Sequence, residues 1–164
     1  MAHGRRGVHI LTSPPMTRHH PEAEHIRPPP AGVPAGVTED MIRTLVHTFY
    51  GRVRQDEMLG PIFNAKIADW DAHLAKLCDF WSSVTLSSGR YKGQPVPAHT
   101  ALPDIRAEHF ARWLGLFGET ARDVCPPDAA ALFVDRAQRI AESLQIAIAM
   151  SRGEMTVRPP PRKA

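Results

Sequence analysis

The sequence is poor in cysteine and in long apolar runs. Its 164 residues contain only two cysteines, Cys78 and Cys125, far apart and outside any CxxC pattern. This spacing excludes a disulfide framework and a zinc site built from thiolates, leaves a single bridge open, and favours a reducing compartment. The longest apolar run near the N-terminus, GVHILT, is too short for a signal-peptide core or a membrane span. We therefore expect a soluble, cytoplasmic protein that does not bind membranes.

A basic surface is also missing where a folded domain would need it to bind nucleic acid. The chain has a formal charge of +3, but residues 38–152 carry 13 Lys and Arg against 14 Asp and Glu. The excess of positive charge lies in residues 1–37 and 153–164, which together carry 7 basic and 3 acidic residues. Tails of this charge attract anions only weakly and without specificity, so a nucleic-acid partner is not expected.

The two ends differ in composition from the middle of the chain. Residues 1–37 hold seven of the 16 prolines and five of the nine histidines, without an apolar period. We expect this segment to be a disordered tail, and Met16 is an alternative start. Its histidines His19, His20 and His25 could hold a stray metal ion, although composition favours a solvated tail. Residues 153–164 form a second tail, basic and rich in proline.

No strand-like alternation of useful length occurs between the tails, and the apolar pattern instead predicts four helices. The first begins after the N-cap Thr38 and runs to about residue 55, and the second spans about 68–87. Asp104 is the expected N-cap of a third helix, to about residue 124, and Pro126–Pro127 with the cap-like Asp128 are expected to open a fourth, to about 151. The segment MLGPIF is expected only to break the chain after the first helix. The fold class is therefore all-α, with one domain over residues 38–152.

Two histidines occupy unusual positions in this pattern. His73 shares a helix face with Leu77 and Trp81, so that an ionisable ring points toward an apolar interior. His99 lies in GQPVPAHTALP, a stiff connector that can form at most a turn or two of helix. Two such imidazoles could bracket a flat, apolar ligand, and iron porphyrin fits because neutral imidazole is a common axial ligand of its iron.

The ordinary interpretation of each feature competes with this hypothesis. A lone histidine on an apolar helix face is more often a hydrogen-bonded core residue, and a histidine in a proline-rich loop is usually at the surface. Aromatic side chains at helical spacing are usually core. Periodicity alone therefore leaves a haem-free helical interaction module as the alternative.

Five segments, taken in order, give a more specific signal. These are FYGRVRQDEMLGPIF, WDAHLAKLCDFW, YKGQPVPAHTALP, HFARWLGLF and RAQRIAESL. Together they resemble the group III truncated haemoglobins of bacteria over about residues 39–150. The resemblance implies a two-over-two sandwich of helices around haem b, with the iron ligand on a short piece of helix within a loop.

The resemblance also implies roles for individual residues. His99 corresponds to the proximal iron ligand, and Tyr50 and Trp113 to hydrogen-bond donors on the distal side. His73 corresponds to the distal histidine, which could donate to the gas ligand, swing out as a gate or bind the iron itself. The full set expected at the cofactor is Phe63, His73, Leu77, Phe80, Trp81, His99 and Trp113, with Phe49 beside it. No role transfers to His109, and Arg90, Tyr91 and Lys92 are candidates to meet the haem carboxylates.

The function implied is binding of O₂ and other diatomic gases such as NO and CO. Oxygen storage or transport, removal of NO, removal of peroxide and gas sensing are the alternative roles. An enzymatic reaction would need electrons, and the chain has no glycine-rich nucleotide-binding signature after a strand. A reductase would therefore be a separate protein.

Overall fold

A computed structural model describes residues 28–154. Residues 1–27 and 155–164, which the sequence predicts to belong to the two tails, lie outside the described residues. Within the described part the structure has six α-helices and no strand, which confirms the all-α prediction. They are α1 (Glu39–Gln55), α2 (Gly60–Lys66), α3 (Trp70–Leu86), α4 (Pro95–Thr100), α5 (Ala107–Val124) and α6 (Pro127–Ser151). None of these helices is both long and apolar enough to cross a bilayer.

Helix α1 is the central element of the fold. Its apolar stripe Ile42, Leu45, Val46, Phe49 and Val53 is buried as the i, i+3, i+4, i+7 spacing predicts. The Thr38 hydroxyl accepts the backbone N–H of Met41 at 3.2 Å, which confirms the predicted N-cap. Helix α1 packs against α3 on one side and α5 on the other, and α5 packs against α6. The result is two helix pairs, α1 with α3 and α5 with α6, whose buried apolar side chains form a main cluster and a smaller second cluster between α5 and α6.

Two predicted N-caps are wrong. Helix α5 begins at Ala107, and its cap is Arg106 in extended conformation, because Asp104 lies in a turn with Pro103. Helix α6 begins at Pro127 after the cap Pro126, so that Asp128 lies in the first turn. Proline favours the first helical position because its missing N–H would have no partner there. Asp128 still stabilises the positive end of the helix.

The segment MLGPIF does more than break the chain. Gly60 to Lys66 form the short helix α2, in which Pro61 sits in the first turn where no N–H is required. Gly60 is needed for this corner, since a Cβ there would lie 2.8 Å from the Arg54 carbonyl oxygen. The disulfide that the sequence left open is absent, because both cysteines are free thiols.

The packed part of the chain begins before Thr38. Residues 31–36 form turns, Val37 is buried, and the Gly32 N–H donates to the Thr85 carbonyl at 2.9 Å. A Cβ at Gly32 would lie 2.6 Å from that same carbonyl oxygen. Residues 32–37, which composition alone groups with the tail, therefore contact the end of α3.

Gly32→Ala tests this contact. We expect it to lower the free energy of unfolding by about 1–3 kcal/mol, because the new methyl group must displace backbone rather than a movable side chain. Gly51→Ala is the matched control, since Gly51 is in α1 with nothing within 4 Å of an added Cβ. It should be neutral or stabilise by up to about 1 kcal/mol. Urea unfolding measures both, and equal stability of Gly32→Ala and the unchanged protein would contradict the packing.

Candidate functional site: a cavity between the helix pairs

A cavity of about 460 Å³ lies between the two helix pairs. Its volume is in the range typical of sites for cofactors and drug-sized ligands. All eight residues that the sequence assigned to a cofactor or gas ligand line it: Tyr50, Phe63, His73, Leu77, Phe80, Trp81, His99 and Trp113. The walls are mainly aliphatic and aromatic, with a few polar side chains among them. Such a cavity suits a large, flat, apolar molecule with specific polar anchors.

His99 is held by its own short helix. It lies near the end of α4, which begins at Pro95, and its Nδ1 is 2.7 Å from the Pro95 carbonyl oxygen. A carbonyl can only accept, so Nδ1 carries the proton and donates it. The neutral ring then has its lone pair on Nε2, the tautomer that binds a metal ion. The connector thus presents to the cavity an imidazole whose Nε2 can accept a bond.

His73, on α3, lines the same cavity. It meets Tyr50 edge to face at 6.1 Å between ring centroids and Trp70 edge to face at 5.9 Å. The Arg54 guanidinium lies over the Trp70 ring, 4.7 Å from the ring centre, in a cation–π contact. Partial burial lowers the pKa of His73, and the nearby charge of Lys76 lowers it further. His73 is therefore a neutral imidazole at physiological pH.

Tyr50 and Trp113 approach the cavity from α1 and α5. The Tyr50 ring packs against Phe49 at 4.8 Å and Phe63 at 5.9 Å. Trp113 meets Phe49 edge to face at 5.4 Å and stacks on Phe117 at 5.3 Å. Burial raises the pKa of the Tyr50 phenol above its usual range, and the neighbouring Trp113 opposes this rise. The Tyr50 hydroxyl is thus a protonated donor across the physiological pH range.

Phe49 lies behind the cavity rather than in it. It is fully buried and contacts Tyr50, Trp113 and Phe117. Trp81 stacks on the other side of Phe117 at 5.1 Å. This row of rings joins α1, α3 and α5, so that the donors Tyr50 and Trp113 are backed by rigid aromatic packing.

Of the three residues expected near the haem carboxylates, only Tyr91 lines the cavity. Its ring packs on Phe80 at 5.2 Å. The Arg90 guanidinium is instead paired with Glu39 and Asp79, which ties the loop before α4 to α1 and α3. Lys92 does not line the cavity, whereas Lys66 and Lys76 do. Sequence distance could not reveal this, because the lysines come from two separate helices.

Sequence reasoning also missed much of the wall around His99. Leu102, Ile105, Phe110, Ile140, Ala141 and Leu144 line the cavity there. His109, to which no role was given, lines it too, and its Nδ1 accepts the backbone N–H of Arg106 at 2.9 Å. His109 therefore caps the start of α5 in the manner of a capping box. The signal for this role is the three-residue spacing from Arg106, which is weak without the backbone conformation.

Comparisons with known proteins agree with this geometry. No family model matches the chain. The chain is 38% identical over 113 residues to the group 3 truncated hemoglobin ctb of Campylobacter jejuni, which covers 66% of this chain and 89% of that protein. It also matches the crystal structure of a group III truncated hemoglobin from Campylobacter jejuni with a TM-score of 0.65 and 37% identity. That match covers 68% of this chain and 91% of the other.

The chain therefore belongs to the group III truncated haemoglobins. The truncated globin fold predicted from the sequence is confirmed. Membership in this family implies a haem cofactor and the binding of a gas.

The pKa of Tyr50 gives a prediction on stability against pH. The folded-state pKa lies above the value of 10.0 for a free tyrosine, so above about pH 10 the unfolded chain loses a proton that the folded chain keeps. Raising the pH above about 10 therefore lowers the free energy of unfolding through this residue. The stabilisation that burial of the protonated Tyr50 phenol provides is fully present only below about pH 10. We expect the free energy of unfolding to fall less between about pH 8 and about pH 10.5 in Tyr50→Phe than in the unchanged protein.

Tyr91→Phe is the matched control, since it removes the same hydroxyl from the only other tyrosine, a half-exposed ring. Urea unfolding at both pH values measures all three proteins. An identical loss in Tyr50→Phe and the unchanged protein would show that the Tyr50 phenol is not protected by burial.

Proposed function

We propose that this protein is a haem b protein in which His99 binds the iron and the opposite side of the cavity binds O₂ and other diatomic gases. The observation that carries the proposal is the Nδ1–H bond from His99 to the Pro95 carbonyl, which leaves Nε2 as the ligand atom. Haem, when bound, would supply an iron atom that coordinates a gas, and His99 Nε2 would hold that iron.

The cavity walls fit the rest of the cofactor. Phe63, Leu77, Phe80 and Trp81 offer an apolar slot for the macrocycle. Haem also carries two carboxylates, and the ammonium groups of Lys66 and Lys76 at the cavity lining are suitable partners for them. This donor set and lining favour a haem protein over the alternative of a haem-free interaction module. A module without a cofactor would have no use for a cavity of about 460 Å³ in its core.

On the distal side the chain supplies hydrogen-bond donors. The Tyr50 O–H and the Trp113 N–H are donors beside an apolar cavity, and both are backed by the same row of rings. A polarised gas ligand such as O₂ would gain more from these donors than CO would. His73 is a third candidate donor, and in the alternatives it acts as a gate or binds the iron itself.

Strong donors slow the release of O₂, and slow release suits chemistry on bound oxygen better than oxygen transport. We therefore propose that removal of NO or of peroxide is the physiological role, with electrons from a separate reductase. The cytoplasm is the compartment we propose, and the two free thiols are compatible with its reducing conditions.

His99→Ala tests the cofactor assignment. We expect this variant to lose haem or to lose the ferrous spectrum of ligation by this imidazole, because the substitution removes the Nε2 that the Pro95 hydrogen bond leaves free for the iron. His109→Gln is the matched control, since His109 also lines the cavity but its Nδ1 is engaged with the Arg106 N–H. It should keep the spectrum of the unchanged protein. Hemin titration followed by reduction measures both, and normal axial ligation in His99→Ala would overturn the assignment.

Tyr50→Phe tests the distal donor. Hydrogen bonds to a charged acceptor contribute about 1.5–3 kcal/mol, so loss of this one should speed O₂ dissociation about 10- to 100-fold. CO dissociation should change far less, and stopped-flow or flash photolysis measures both rates. Equal changes in the two rates would remove Tyr50 from this role while leaving haem binding intact.

A further inference from the structure

The carboxylate of Asp56 joins two parts of the distal side. Its Oδ1 accepts the backbone N–H groups of Met58 at 3.0 Å and Leu59 at 2.9 Å, in the corner between α1 and α2. Its Oδ2 accepts from Arg112 on α5, at 2.7 Å from Nε and 2.6 Å from Nη2. Only 6% of the Asp56 side chain is exposed. Both oxygens are therefore committed, one to each structural element.

The Asp56 end of this ion pair is covered, whereas the Arg112 side chain is half exposed. Burial by itself would raise the pKa of the Asp56 carboxyl. The hydrogen bonds from Arg112, Leu59 and Met58 outweigh this effect and hold the pKa below its usual value. Two donors of one planar guanidinium fix both the distance and the direction of the partner helix. The pair joins residues that are 56 positions apart in the sequence.

Arg112 directly precedes Trp113. Successive residues on a helix point about 100° apart, so Arg112 can reach the corner outside the cavity while Trp113 faces the cavity. Holding Arg112 in place therefore fixes the rotation of α5 about its own axis and its position along that axis, and with them the position of Trp113. On the other side of the pair, Leu59 and Phe63 follow Asp56 and line the same cavity. One carboxylate thus sets the position of two distal walls relative to each other.

We propose that Asp56 and Arg112 are positioning residues that hold Trp113 where its indole N–H can donate to a gas ligand, and so set the rate of O₂ release. This inference rests on the proposed function of Trp113. Neither Asp56 nor Arg112 lines the cavity, so any effect on the gas must pass through a neighbour.

The chain contains a matched control pair. Arg52 Nη2 lies 2.8 Å from Asp123 Oδ2, and this pair also joins α1 to α5. Asp123 is ten residues beyond Trp113, or about 15 Å along the helix. Neither Arg52 nor Asp123 lines the cavity. Loss of this pair should weaken the same helix contact without moving Trp113.

The experiment compares gas release from the haem-loaded full chain in Arg112→Gln and Arg52→Gln. We expect O₂ dissociation to be about 3- to 10-fold faster in Arg112→Gln, a part of the full effect of one hydrogen bond to a charged acceptor. CO dissociation should change much less, and Arg52→Gln should leave both rates unchanged. Arg112→Lys keeps the charge without the planar fork and should give an intermediate O₂ rate. Urea unfolding checks that both glutamine variants are folded.

Arg112→Gln combined with Trp113→Phe tests whether Arg112 affects O₂ release through the Trp113 indole. If Arg112 acts through Trp113, Arg112→Gln should add no further O₂ effect there. An unchanged O₂ rate in Arg112→Gln, or an O₂ effect that persists without the indole, overturns the positioning role. If Trp113→Phe itself leaves O₂ dissociation unchanged, the donor role in the proposed function fails, and this inference fails with it.

Discussion

The hydrogen bond from His99 Nδ1 to the Pro95 carbonyl is the interaction on which the site depends. It chooses one of the two neutral tautomers of an imidazole and so decides which nitrogen is free for a metal ion. Prolines at positions 95 and 97 limit the conformations of the segment, which lowers the entropy lost when His99 is held in place. A long helix is not required, since one and a half turns are enough to bring donor and acceptor together.

The distal side depends on packing rather than on a single bond. Phe49 is the common neighbour of Tyr50, Trp113 and Phe117, and Trp81 extends the row to α3. Edge-to-face and stacked contacts of this kind stabilise a defined orientation in addition to burying area. The Tyr50 hydroxyl and the Trp113 N–H are thus oriented by the packing of their rings against apolar neighbours.

Much of this arrangement could be predicted from the sequence, and the limits have physical causes. The stripe of α1 and its Thr38 cap are local patterns, and both were correct. The Asp104 and Asp128 caps failed because a good capping residue is common in turns, and the backbone conformation of Arg106 and Pro126 decided where each helix starts. The eight pocket residues were found through resemblance to a family, and periodicity alone would have left His73 and His99 as ordinary histidines.

Contacts between distant segments could not be predicted in this way. Nothing in the sequence around Asp56 or Arg112 indicates that they meet, and Arg90 was expected near the cofactor but is paired with Glu39 and Asp79. Such pairs depend on how whole helices are placed, which one sequence does not reveal.

Titration of the purified full chain with hemin, followed by visible spectroscopy of the oxidised and reduced protein, tests the central claim most directly. We expect saturation at one haem per chain and a reduced spectrum typical of imidazole ligation. Protein that stays colourless after hemin is supplied, or that binds hemin without a saturable, histidine-ligated spectrum, would contradict it.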